Sequence, residues 1–354
     1  MEHGQTRAWV EIDLGALQRN ASALQRRAGV PLLPMVKADA YGLGAVDVAT
    51  ALETLDPWGF GVATIDEAAE LRAAGIGRPI LLCTPTLIDD IAAMRAHRVT
   101  PSLSRNRAIR GWAATGGGPW HLAIDTGMSR AGVPWSDIGA LESAVRDCPP
   151  EGAFTHFHSA DRSPESVRLQ EARFREAIGA LPARPPILHA ENGPAIEHST
   201  RSPWTIARPG IFLYGVASGG TIDPEPVVHV RARVVDLRTI PDGETVGYYA
   251  TYRAVGARRI ATLAIGYADG IPRALGNRGC ALIRGRRASI AGLVSMDMSM
   301  VDVTDIDCEL GDTATLIGEG DGDLLTVAAV AEAVDMSPYE LLTGLRGRLP
   351  RRYR

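Results

Sequence analysis

Pro34-Met35-Val36-Lys37-Ala38-Asp39-Ala40-Tyr41-Gly42-Leu43-Gly44 is the stretch on which the reading of this chain turns. A short apolar run over residues 32–36 ends on one lysine; a tyrosine follows four residues later, then a loop with two glycines. An ammonium at the end of an apolar run is costly to bury unless it is paired or neutralised. Desolvation lowers a lysine pKa and frees its lone pair, which is what Schiff-base chemistry requires. The same pattern fits a lysine that snorkels at a strand end with its head in water. The stretch alone leaves both readings open.

Outward from it, the chain has a rhythm. Residues 7–12 alternate as a strand, and Asp13 caps a helix over residues 14–27. Strand-like runs then fall at residues 32–36, 59–63, 79–83, 99–103, 120–124, 152–157, 187–190 and 206–213. Stretches rich in alanine, leucine and charge, such as 65–74, 87–97 and 165–180, read as the helices between them. Eight such runs predict an α/β architecture, a parallel (β/α)8 barrel. A doubly wound open sheet is the rival, but no Gly-x-Gly-x-x-Gly dinucleotide turn supports it.

The texture changes after Gly215. Gly219, Gly220, Pro224 and Pro226 read as a linker, and residues 227–239, 258–265, 280–283, 288–294, 299–303 and 314–317 as strands. One helix is expected over residues 326–334. The predicted organisation is an N-terminal strand (1–10) joining a later β domain, a barrel (11–222) and a mostly β C-terminal domain (223–354).

With 45% hydrophobic and 22% charged residues the composition is that of a soluble globular protein, and the formal net charge of -4 gives no hint of nucleic-acid or membrane binding, so neither is expected as a partner. No apolar run approaches a membrane span, and Met1-Glu2-His3-Gly4 does not open a signal peptide. Cys83, Cys148, Cys280 and Cys308 are scattered, which favours free thiols in a reducing cytoplasm over disulfides or a zinc site.

In a barrel, chemistry gathers at the carboxyl ends of the strands. Lys37 ends the first run, Arg130 follows the fifth, His156 lies near the end of the sixth, His189 and Asn192 follow the seventh, and Arg208, Gly210 and Ile211 sit in the eighth. Singly, His156 fits a satisfied core histidine and Arg130 a solvated loop charge. Their recurrence at one end of successive strands points to a site.

These residues lie in motifs through which the chain resembles the alanine racemases, which bind pyridoxal phosphate on such a barrel. The motifs are Val36-Lys37-Ala38-Asp39-Ala40-Tyr41-Gly42, Asp125-Thr126-Gly127-Met128-Ser129-Arg130-Ala131-Gly132 and Arg208-Pro209-Gly210-Ile211-Phe212-Leu213-Tyr214-Gly215. The β domain adds Val246-Gly247-Tyr248-Tyr249-Ala250-Thr251-Tyr252, Ile265-Gly266-Tyr267-Ala268-Asp269-Gly270 and Ser295-Met296-Asp297.

The resemblance implies that Lys37 holds the cofactor covalently and acts as one base, with Tyr248 of the neighbouring subunit as the other. Racemisation removes a proton from one face and returns it to the other, so two bases suit it. It further implies that Arg208 faces the pyridine nitrogen, held by His189. A guanidinium keeps its proton, so that nitrogen stays unprotonated and the cofactor is a weaker electron sink. By the same resemblance His156 stacks on the ring, while Tyr41 and the amides of Gly210 and Ile211 bind the phosphate. Arg130 and the Met296 amide bind the substrate carboxylate, and Tyr267 lines the entrance. No metal is implied.

Three departures stand out. A lysine that many members carry, carbamylated, two residues before the Asp-Thr-Gly-Met motif is Ala123 here, so Arg130 needs another brace. Candidates are a chloride or water, or Glu191, whose other reading is a solvated surface charge. A phosphate-binding serine is replaced by Gly193, and a tyrosine before Arg348-Leu349-Pro350-Arg351 aligns with Gly347. The expectation is a cytoplasmic homodimeric alanine racemase with active sites shared between subunits. A racemase of serine or another small amino acid is the first alternative. A lyase or decarboxylase on the same fold leaves Tyr248 without a purpose, and a one-domain cofactor-carrying regulator leaves the β domain without one.

Overall fold

The computed structural model describes residues 6–345 and 347–354, so part of the expected N-terminal segment, residues 1–5, lies outside the described residues. The strand Ala8–Ile12 leads into the helix Leu14–Ala28, where Asp13 Oδ1 accepts from Ala16 N at 2.8 Å and so satisfies one orphan amide. Gly29, at φ 66°, ends that helix in the left-handed conformation that glycine adopts without strain.

Six parallel strands follow in sequence order: Phe60–Val62, Ile80–Pro85, Thr100–Leu103, His121–Asp125, Gly152–Phe154 and Ile187–His189. The first and eighth expected strands differ from the sequence reading. They join the ring through the isolated parallel bridges Leu32↔Ala207, Met35↔Gly61 and Asn192↔Arg208 rather than as regular ladders. Pro31, Pro34 and Pro209 lack the N–H that a continuous ladder needs. The bonds that remain, Leu33 N to Ala207 O at 2.7 Å and Met35 N to Pro209 O at 2.9 Å, close the barrel. Beyond Gly210 the expected strand becomes a short 3₁₀ turn, Ile211–Tyr214. Alternation decides the packing: Ile80 and Leu82 face the surrounding helices, whereas Leu81 meets Leu33 and Ile206 inside the ring. Helices Ile65–Ala73, Ile91–Ala96 and Pro164–Gly179 cover three of the expected stretches, the second preceded by a 3₁₀ turn at Ile88–Asp90.

In the second half, Val228–Ile240 is the spine. It pairs antiparallel with Ala8–Ile12, Arg258–Leu263 and Thr313–Gly320. Ala8–Ile12 in turn pairs parallel with Arg351–Tyr353, so the two ends of the described chain lie in one sheet. The strand expected at residues 288–294 is instead Arg286–Ser289. Arg284 and Gly285, at φ 48° and 72°, form a two-residue hairpin turn after Ile283, and Gly292 at φ 79° keeps the strand from running on to residue 294. The expected helix over residues 326–334 is Val327–Glu332. Helix Pro338–Thr343 and strand Arg351–Tyr353 have no counterpart in the sequence reading.

These late elements grip the lysine segment of the barrel. Arg351 pairs with Asp39 at 2.5 Å, and Tyr353 Oη donates to Leu43 O at 3.0 Å. Gly44, at φ 97°, holds a backbone conformation that L side chains rarely adopt, and a Cβ there would also displace Tyr353 Oη. Among the described residues no helix is long and apolar enough to cross a membrane, and no cluster of side chains could hold a metal ion.

Candidate active site

Lys37 opens a turn of unusual hand. Ala38, Asp39, Ala40 and Tyr41 have φ of 53°, 55°, 51° and 57°, four successive left-handed residues of which none is glycine. Each costs about 1–2 kcal/mol, so the surroundings must impose the conformation. Glu67 does so from the next helix: its carboxylate accepts from Ala38 N at 2.7 Å and from Ala63 N at 2.7 Å. Asp39 Oδ1 accepts from Ala45 N at 2.8 Å while its other oxygen meets Arg351. Neither Glu67 nor Arg351 was legible as a site residue, because both act through partners distant in sequence.

The turn presents Lys37 and Tyr41 to a cavity of about 1020 Å³ at the carboxyl ends of the barrel strands. Arg130, His156, Arg208, Gly210 and Ile211 line the same cavity. His189 lies behind it, fully buried. Burial, together with the cations Arg208, Arg130 and Lys37, pushes the His156 imidazole down to about 3, so it is neutral near pH 7.

Arg208 is the most constrained of these side chains. Its guanidinium donates to His189 Nδ1 at 2.7 Å, to Thr155 O at 2.6 Å and to Ala190 O at 3.0 Å. Burial lowers its pKa to about 10, which leaves it charged at neutral pH. Because a guanidinium only donates, His189 Nδ1 must accept, and its proton sits on Nε2. That atom lies 2.8 Å from Nδ1 of His121, so His121 accepts in turn and carries its own proton on Nε2. The direction of the chain follows from donor logic alone. Glu151, 3.8 Å beyond, is the next group in line. Burial holds both histidines below their ordinary pKa. His121, a lone histidine at the start of a strand, gave no signal in the sequence.

At the other end of the cavity, Tyr41 is buried against Tyr214, with ring centroids 4.6 Å apart, and burial raises its pKa. A Cβ on Gly210 would lie 2.6 Å from Tyr41 Oη, so only glycine permits this approach. Among the described residues, the N–H groups of Gly210 and Ile211 have no acceptor within the chain. Two free amides beside a phenol form an anion cradle. Tyr339 also lines the cavity, its ring 6.0 Å from that of Tyr41. It stands on a helix the sequence reading missed, whereas Gly347, where a tyrosine was sought, has nothing within 4 Å of its Cβ position.

Arg130 is positioned by its loop. Asp125 Oδ1 accepts from the amides of Gly127, Met128 and Ser129 at 2.9, 2.9 and 3.1 Å, and this turns the chain so that Arg130 reaches the cavity. Among the described residues Arg130 has no hydrogen-bond or ion-pair partner, and Ala123 lines the wall beside it. Glu191 is neither its brace nor a solvated charge. It is 3% exposed, burial raises its pKa, and the groups that act on it are Ser202, Ser199, Glu171 and Arg208.

Tyr248, Tyr267 and Met296 do not line the cavity of their own chain. They are exposed on the β domain, at 66%, 40% and 52%. Tyr267 N donates to Ser295 O at 2.9 Å and Ala268 N to Met296 O at 3.0 Å, so two of the three share one loop pair. The Met296 N–H has no acceptor within the chain among the described residues.

Residues 12–218 match the family described as alanine racemase, N-terminal domain, and residues 227–353 match alanine racemase, C-terminal domain. The alanine racemase of Deinococcus radiodurans is 40% identical over 98% of this chain and 99% of its own length; that of Synechocystis is 37% identical over 98% of each. Among solved structures, alanine racemase from E. faecalis superposes with a TM-score of 0.93 at 28% identity, covering 99% of both chains. The Bartonella henselae enzyme, described with covalently bound pyridoxal phosphate, gives 0.90 at 31% identity over 99% of this chain and 100% of its own. The chain belongs to the alanine racemase family.

Proposed function

We propose that this protein is a pyridoxal 5′-phosphate-dependent alanine racemase, cytoplasmic and homodimeric, with each active site built from the barrel of one subunit and the β domain of the other. The carrying observation is one cavity in which Lys37, Arg208 and the free amides of Gly210 and Ile211 converge. It is joined to a β domain whose own tyrosine, Tyr248, faces away from that cavity into solvent.

The cavity fits the cofactor. The amides of Gly210 and Ile211 and the Tyr41 hydroxyl suit a phosphate, Arg208 suits a ring nitrogen that accepts a hydrogen bond, and Lys37 suits an aldehyde. When bound, the cofactor acidifies the α-hydrogen of the amino acid attached to it.

The remaining work falls to the side chains. Lys37 Nζ removes or returns the α-proton on one face. The Tyr248 hydroxyl of the second subunit does the same on the other, because a single base cannot serve both faces. Arg208, locked by three hydrogen bonds, cannot surrender a proton and keeps the ring nitrogen an acceptor. His156, held neutral, lines the cavity and would pack against the cofactor without adding charge. Arg130 and the unpaired Met296 N–H hold the substrate carboxylate. The division into a barrel (11–222) and a β domain (223–354) separates the two bases, one in each.

The test is conversion of L-alanine to D-alanine by the pure protein, with borohydride fixing the cofactor on the peptide that contains Lys37. Turnover of another amino acid with none of alanine, or attachment to another lysine, overturns the reading.

A further inference from the structure

A buried hydroxyl near the cradle has no assigned task. Ser218 lies in the segment between barrel and β domain, three residues after Gly215, and lines the cavity with Tyr41, Gly193, Gly210 and Ile211. Its Oγ is buried and has no hydrogen-bond partner among the described residues. A buried hydroxyl left unpaired costs roughly 1–3 kcal/mol. It is expected only where something else satisfies it. Behind it stands Glu197, fully buried: the Ser218 hydroxyl and amide both reach its carboxylate and act to lower its pKa, but the contact falls short of a well-formed hydrogen bond, and Glu197 Oε1 is left unpaired as well. Burial outweighs that influence and keeps the Glu197 carboxyl toward its neutral form.

Ser218 Oγ lies beside the space that Gly193 leaves. Gly193 carries no side chain, and the point where its Cβ would stand is 3.6 Å from Ser218 Oγ and 3.9 Å from Glu197 Oε1. A short polar side chain at position 193 would therefore put its own oxygen in the region that Ser218 Oγ already reaches. That region belongs to the same cavity wall as the free amides of Gly210 and Ile211.

Resting on the cofactor reading above, we infer that Ser218 donates its hydroxyl to the phosphate of the cofactor, supplying from the inter-domain segment the group that Gly193 lacks. Ser218 is then a binding residue. The segment after the eighth barrel strand becomes part of the cofactor site rather than a passive linker.

The experiment uses the full chain stripped of cofactor and titrated with pyridoxine 5′-phosphate and with pyridoxine. Neither alcohol can bond covalently to Lys37, and the pair differ only in the phosphate. Ser218→Ala is expected to raise the Kd of pyridoxine 5′-phosphate about tenfold and to leave that of pyridoxine unchanged. Introducing Gly193→Ser into the Ser218→Ala protein is expected to recover most of the loss, because its oxygen enters the same space. An unchanged Kd for the phosphorylated ligand, or equal weakening of both ligands, overturns the assignment. A wild-type chain that binds neither phosphorylated nor unphosphorylated ligand overturns the cofactor reading itself, which separates the two failures.

Discussion

The lysine segment of the barrel and the tyrosine segment of the β domain both depart from ordinary backbone geometry, and they do so in opposite settings. Ala38 to Tyr41 run left-handed, but Glu67, Ala45, Arg351 and Tyr353 clamp that turn from three directions. In the tyrosine segment Gly247, Tyr249 and Ala250 have φ of 75°, 61° and 51°, and the aromatic side chains stand in solvent, Tyr249 being 84% exposed. Strain that the chain itself over-determines marks a finished half-site. Strain on an exposed aromatic loop has no such support from its own chain. The difference teaches that the barrel lines a cavity of its own, while Tyr248 and Tyr249 of the β domain stand exposed outside it, which is what the proposed shared site requires.

The sharpest way to break this comparison is to disable each half separately. Lys37→Ala should lower racemisation on the order of 10⁴-fold, at the upper end of what a lost base costs. Mixing it with inactive Tyr248→Phe protein should restore up to one intact site per heterodimer. Subunits that exchange without any return of activity would refute the shared site.

A smaller effect distinguishes the two faces. Tyr248→Phe should depress α-proton exchange from one enantiomer by about 10²-fold or more while the other direction suffers far less. Exchange followed in deuterated water from each enantiomer reads this directly. Equal losses would strip Tyr248 of its role.

Within the barrel, the histidine chain is the next lever. His121→Phe removes the acceptor for His189 Nε2–H in a fully buried site, and should cost roughly 1–3 kcal/mol of stability. As Arg208 loses its fixed partner, kcat should fall about tenfold with KM little changed. His121→Asn, which offers an oxygen in place of Nδ1, should rescue much of both. A thermal shift without the kcat change would reduce His121 to a packing residue.

Much of this arrangement was legible because it is local. Lys37, Arg130, His156, His189 and Arg208 were found from their places after apolar runs, and the rhythm of runs and helices counted out the barrel. What escaped was non-local or small. Glu67 and His121 act through atoms on other strands and helices, and Ser218 sat in a glycine-rich stretch that looked like a linker. Glu191 was misread because its charge suggested solvent, whereas its place at the end of a barrel segment buries it. The first and last barrel segments read as full strands from their apolarity, yet the missing N–H groups of Pro31, Pro34 and Pro209 reduce them to isolated bridges.

Acid should expose the barrel before the β domain. His156 is held near 3 in the folded chain against about 6.5 when free, so below pH 6.5 the unfolded chain binds a proton that the folded chain refuses. Stability of the cofactor-free protein is thus full above pH 6.5 and falls as pH drops toward 3, by about 2 kcal/mol at pH 5 from this group alone. His121 and His189 act in the same direction. Denaturant midpoints between pH 7.5 and 5 check the sign; a midpoint that rises on acidification contradicts it.

The smallest expected effect concerns Ala123. Arg130 reaches the cavity with no partner among the described residues, and Ala123, beside it on the wall, can offer neither charge nor acceptor. Ordering a free guanidinium on each binding event costs on the order of 1–2 kcal/mol in rotamer entropy. The loop lowers this, since Asp125 already fixes three of the amides leading to Arg130. Ala123→Lys enters the cavity wall rather than a packed core, so it should fold normally. It should change kcat/KM for alanine by less than about threefold at ambient bicarbonate. A rise with added bicarbonate, which can carbamylate a lysine amine, would show that a nearby negative charge still improves Arg130. A tenfold or greater loss, unaffected by bicarbonate, would mean that the space beside Arg130 is used by the substrate itself, and that the loop alone holds the arginine in place.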